Sequence, residues 1–98
     1  EVGGDDGERE MKLFTAGGRR LDSAYGFNFL YADRLTPALV ADALRGWPGD
    51  PDTGWPRWAF ENHDAPRAVS RWTRPDTAAA FNRMKAMLLV CLRGNIFL

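Results

Sequence analysis

A single cysteine, Cys91, cannot form an internal disulfide, which excludes a small secreted scaffold held together by paired cysteines. A single histidine, His63, stands far along the chain from that cysteine and leaves no zinc-ligand pattern, so neither a metal nor any other cofactor is expected. An excess of charge is missing too, because 13 basic and 13 acidic side chains cancel. Nucleic acid and anionic membranes are held by surplus Lys and Arg, so neither is expected as the main partner. The longest apolar run, Ala86 to Leu92, falls well short of the ~20 residues a membrane helix needs. No signal peptide or low-complexity tract is present, and the lone thiol is compatible with the cytoplasm, which is the expected location. An initiator methionine is also absent, and the chain closes on the apolar run Ile96-Phe97-Leu98. Ends of folded chains are ordinarily polar, so a piece of a longer chain is expected.

What is present is ordinary globular material: 45% apolar and 27% charged residues over 98 positions. The stretch from Glu1 to Arg20 is broken by Gly3-Gly4-Asp5-Asp6-Gly7 and Gly17-Gly18, and reads as loop and irregular structure. From Ala24 to Tyr31, Tyr25, Phe27, Phe29 and Tyr31 alternate, which predicts an aromatic strand. Thr36-Pro37 supplies an N-cap and a first-turn proline, Leu39, Val40, Ala43 and Leu44 share a helical face, and Gly46 closes the helix. Residues 49–56 are rich in turn formers. Trp58-Ala59-Phe60 then reads as a brief buried strand, and a second helix is expected from the capping-box-like Thr73-Arg74-Pro75-Asp76. Phe81, Met84, Leu88 and Cys91 fall on one face of that helix, where Cys91 reads as an inert core residue. Arg93-Gly94 ends it, and Asn95 to Leu98 begins another strand.

The resulting order is strand, helix, strand, helix, strand, with strands starting near Ala24, Arg57 and Asn95. A spacing of ~30–40 residues is that of βα units in a parallel sheet, so the expected class is α/β. Three parallel strands alone would leave two apolar edges, so more such units are expected. Either a doubly wound sheet or a (β/α)8 barrel satisfies the period.

Groups capable of chemistry gather in Phe60-Glu61-Asn62-His63-Asp64-Ala65-Pro66-Arg67, after a parallel strand, where α/β barrels place catalytic residues. His63 could donate to a ligand hydroxyl, and Asp64 could accept hydrogen bonds or face developing positive charge. Arg67 could keep a neighbouring carboxylate ionised. The same residues also fit a polar loop in which Asn and Asp cap the backbone and Arg makes a surface ion pair. Phe27, Trp55 and Trp58 could stack on sugar rings or simply fill a core. Asp5-Asp6-Gly7-Glu8 lacks the alternation of a calcium loop, and Gly17-Gly18-Arg19-Arg20 lacks the strand that precedes a phosphate loop.

The string Trp58-Ala59-Phe60-Glu61-Asn62-His63-Asp64-Ala65-Pro66-Arg67-Ala68-Val69-Ser70-Arg71-Trp72 resembles the fourth conserved region of glycoside hydrolase family 13, the alpha-amylase family. Within it the bacterial α-glucosidase and oligo-1,6-glucosidase branch is the most similar. Ala24 to Leu30 resembles the family's sixth barrel strand, Leu92 to Leu98 the entry to the eighth, and Glu1-Val2-Gly3 the segment that ends the fifth. The resemblance implies that residues 1–98 are part of one catalytic (β/α)8 TIM barrel domain, with no complete second domain. It implies a retaining hydrolase whose partner is an α-glucoside or oligosaccharide. By position, Glu1 would be the general acid/base and Asp64 the carboxylate that stabilises the oxocarbenium-like transition state. His63 would bind sugar hydroxyls, Phe27 would line the pocket, and Arg67 would support the site electrostatically.

The family's nucleophilic aspartate lies on the fourth strand, ahead of anything resembled here. Retention needs a pair of carboxyl groups ~5–5.5 Å apart, so the segment alone is expected to be inactive. The same scaffold also carries transglycosylation and trehalose or sucrose chemistry, and could serve as a non-catalytic barrel.

Overall fold

The first three helices start where a side chain or a proline satisfies the first turn. The computed structural model describes residues 4–48 and 50–97. Helix α1 spans Gly7–Thr15, and the Asp6 carboxylate accepts from Arg9 N at 3.2 Å as its N-cap. Strand β1 spans Ala24–Gly26, α2 Pro37–Gly46 and β2 Pro56–Trp58. Helix α3 spans Ala68–Trp72, α4 Ala78–Cys91 and β3 Asn95–Ile96. The three strands form one parallel sheet in the order β1-β2-β3, with Gly26 opposite Trp58 and Trp58 opposite Ile96. This is a small α/β unit, and consecutive parallel strands in chain order are compatible with neighbouring staves of a barrel.

The core lies between the sheet and its helices. Ala24, Gly26, Pro56 and Trp58 turn inward, where Met11, Ala43, Trp47 and Leu89 meet them. Beyond β1, Phe29 packs edge-on against Trp58 at 5.5 Å and Phe60 at 5.0 Å, and Phe60 meets Trp72 at 5.4 Å. Gly94 makes the turn into β3 at φ +135°, where a Cβ would stand 2.8 Å from both Pro56 O and Trp58 Nε1. Only glycine fits there.

Several expectations are corrected. Irregular structure through Arg20 gives way to α1, because Glu8 and Lys12 pair across one turn at 2.7 Å and Met11 and Thr15 are buried. The flanking glycines conceal a helix held by tertiary packing. The alternating strand ends at Gly26, since Phe29 and Leu30 are both fully buried and no strand buries successive side chains on one face. A turn closes instead, with Leu30 N bonded to Phe27 O at 3.1 Å. The second helix does not start at Thr73. That residue follows the unanticipated α3, and a 3₁₀ turn over Pro75–Thr77 leads into α4. Cys91 is exposed rather than core; Leu89 and Leu92 are the buried positions of that region.

Thr15 ties α1 to the sheet. Its hydroxyl, 1% exposed, donates to Met11 O at 2.9 Å and accepts from Trp55 N at 3.0 Å. Thr15→Val keeps the shape but strands the Trp55 N–H, so a loss of about 1–3 kcal/mol is expected in urea unfolding.

Candidate functional site

The polar segment that follows β2 is built as a braced loop. Asn62 folds it, its Oδ1 accepting from Asp64 N at 3.0 Å and Ala65 N at 2.9 Å. This Asx turn explains why an Asn stands between the strand and the exposed pair. Glu61 anchors the other side: Oε2 accepts from Ala68 N at 2.6 Å, at the start of α3. Its Oε1 faces Lys85 Nζ at 3.5 Å and Arg67 Nη1 at 3.8 Å. Burial alone would raise the Glu61 pKa, but the Ala68 N–H, Lys85 and Arg67 outweigh it and hold the carboxyl below its ordinary value.

Because the folded-state pKa is depressed, this carboxylate stabilises the fold fully above its ordinary value of 4.5 and loses that contribution as pH falls through the lowered value. Glu61→Gln keeps an oxygen for Ala68 N but drops both ion pairs. We expect it to cost ~1 kcal/mol near neutral pH, and thermal melts should show a shallower acid loss than in the wild type.

At the loop's crest His63 Nε2 stands 3.3 Å from Asp64 Oδ1, with the two side chains 89% and 63% exposed. Both are presented to solvent by a loop whose base is held. His63 and Arg67 border a cleft of about 310 Å³ whose other walls include Glu61, Lys85, Leu89 and Phe97. Asp64 is not among its lining residues, and neither is Phe27. Arg67 turns its guanidinium towards Glu61, so the carboxylate it helps keep ionised is Glu61.

Phe27 sits past the end of β1, stacked on Tyr31 at 6.2 Å and edge-on to Tyr25 at 5.5 Å, while Tyr25 meets Phe97 at 6.0 Å. These rings form an aromatic file apart from that of Phe29, Phe60 and the partly buried Trp72. Trp58 belongs to the core, its indole N–H donating to Arg93 O at 2.6 Å. Trp55 is half-buried, and its Nε1 donates to Asn95 Oδ1 at 3.2 Å. Glu1 lies outside the described residues.

The chain therefore presents His63, Asp64 and Phe27 at the carboxyl ends of parallel strands, with the His63–Asp64 loop braced by Glu61 and by Arg71, whose guanidinium donates to Phe60 O and Pro66 O. Sequence reading passed over both braces. A carboxylate seven positions before a helix start, and an arginine at that helix's end, were the signals available.

No family model matches the chain. It is similar to a protein named "Probable alpha-glucosidase" from Rhizobium meliloti (strain 1021), with 42% identity over 100 residues. The match covers 98% of this chain and 18% of that protein, so the chain spans less than a fifth of the length of the curated relative it matches. The similarity supports a glycosidase-related segment. Among the described residues no helix is long and apolar enough to cross a membrane.

Proposed function

We propose that this segment belongs to a retaining α-glucosidase of glycoside hydrolase family 13, and forms part of its (β/α)8 barrel. The carrying observation is the 42% identity to a "Probable alpha-glucosidase" across 98% of the chain. The strand-end loop bearing His63 and Asp64 supports it, since that is the position from which barrels do chemistry. Exposed Met87 and Val90 on α4 also support it, because neighbouring barrel elements would cover them.

On this reading Asp64 faces the positive charge that develops at the anomeric carbon, and His63 donates to a sugar hydroxyl. Glu1 acts as the general acid, then as the base that activates water. The nucleophilic carboxylate comes from outside these residues. Phe27 supplies an apolar wall for a sugar face. Arg67 acts through Glu61, keeping the loop's anchor charged.

The test assays the whole protein with p-nitrophenyl α-glucoside, maltose, isomaltose, sucrose and trehalose, following the anomer first released. Glucose freed as the α-anomer is expected, with no turnover by the 98-residue chain alone. Net transfer to sugar acceptors, or rearranged disaccharides, would move the assignment to another activity of the family. Inertness towards all five would overturn the glycosidase reading.

A further inference from the structure

The side chain of Arg71 meets four backbone carbonyls, none of them on its own helix. Its Nε donates to Pro66 O at 2.9 Å, and Nη2 donates to Phe60 O at 2.5 Å. Nη1 donates to Ala32 O at 2.6 Å and reaches Phe29 O at 3.4 Å. The acceptors belong to three different places in the chain. Phe29 and Ala32 lie in the connection from β1 to α2, which carries Phe27 and Tyr31. Phe60 ends the buried run after β2, and Pro66 follows His63 and Asp64 in the loop. The Trp72 ring lies 4.6 Å from the guanidinium carbon, and its own Nε1 donates to Ala32 O at 2.7 Å. Pairing of β1 with β2 ends at Gly26 and Trp58, and among the described residues no backbone hydrogen bond joins the two connections beyond that point.

We infer that Arg71 is a positioning residue, a bracket that holds the Phe27 connection and the His63–Asp64 loop in one arrangement at the carboxyl end of the sheet. A guanidinium suits this task because its donors fan out in one rigid plane and can satisfy carbonyls from several directions. A lysine ammonium is a single point and cannot reach all of them. Glu61 and Asp33 supply the nearby negative charge, so the cation is not isolated. The catalytic meaning of the bracket rests on the α-glucosidase reading; the bracket itself rests on the carbonyl geometry alone.

The test uses the whole protein with Arg71→Lys and Arg71→Met. Amide exchange in residues 29–32 and 60–66 is expected to rise about tenfold or more in both variants, while β1 and β2 exchange as in the wild type. With p-nitrophenyl α-glucoside, kcat is expected to fall about tenfold or more while KM changes less than about threefold, because displaced loops weaken contacts made in the transition state. Wild-type exchange in either connection of the Met variant, or a rise spread equally over the strands, would overturn the bracket. Normal kcat with altered exchange would overturn its positioning role. Should neither variant fold, ¹⁵N-arginine spectra of the wild type decide: separate, slowly exchanging Arg71 Nη protons are expected, and one averaged signal would overturn the proposal. A wild type that cleaves no α-glucoside would sink the functional reading alone, since the exchange arm still reads the bracket.

Discussion

Asparagine in place of Asp64 is expected to cut glucoside turnover by the whole protein about 10²–10⁴-fold while the melting temperature moves by less than about 2 °C. The two halves of that expectation have separate causes. On the proposed reading Asp64 faces charge that exists only in the transition state, so losing its negative charge removes differential stabilisation and lowers kcat. The fold loses little, because the side chain is 63% exposed and its polar neighbour is the still more exposed His63. The loop's shape comes from Asn62 and Glu61, neither of which is touched. Steady-state kinetics beside a thermal melt check both halves. Near-normal turnover would show that the charge-stabilising role was misassigned, and a large drop in melting temperature would show that Asp64 serves the fold.

Trp58→Ala is the counterpart, a change expected to act through stability. Trp58 is fully buried on the central strand, touches Phe29 edge-on and bonds Arg93 O through its indole N–H. Removing the ring opens a cavity under all three strands, with an expected loss of about 3–5 kcal/mol, a large share of the roughly 5–15 kcal/mol of a whole domain. Trp58→Phe keeps most of the apolar contact but leaves Arg93 O without its donor, so a smaller loss of about 1–2 kcal/mol is expected. Urea midpoints compared at equal slope measure both. A loss below about 1 kcal/mol for the alanine variant would mean that the ring is not the keystone its burial implies.

Local signals carried much of the fold. Helix α2 is legible because its start and stop are chemical: Thr36 Oγ1 accepts from Leu39 N at 3.1 Å, Pro37 opens the first turn, and Gly46 ends it. The parallel βαβαβ order is legible because the strands are short and separated by helix-length intervals. The polar loop was legible as a cluster, and Asn62 does fold the backbone as an Asx turn. The reading of a polar loop whose Asn caps the backbone holds, and the same turn leaves His63 and Asp64 exposed to solvent.

The misses have different physical causes. Helix α1 carries helix formers from Glu8 to Leu13 and an Asp6 cap, local signals masked by the flanking glycines, and Thr15 reaching Trp55 and Met11 entering the core secure it. Tyr25 to Tyr31 alternates well enough for a strand, yet burial of the adjacent Phe29 and Leu30 bends the chain after Gly26. Cys91 matches the helical spacing of Phe81, Met84 and Leu88, but the face of α4 turned to the core is the one carrying Leu89.

From its residues alone this protein's α/β order, its turn-rich 49–56 segment and the place of its polar loop were determined, because caps, prolines and periodicity act within a few positions. Only the tertiary structure decided that Glu61 anchors that loop, that Arg67 serves Glu61, and that Arg71 gathers carbonyls from two connections. Those contacts join residues up to 42 positions apart, as in Arg71 with Phe29. Their energy depends on folded geometry, which no short window of sequence contains.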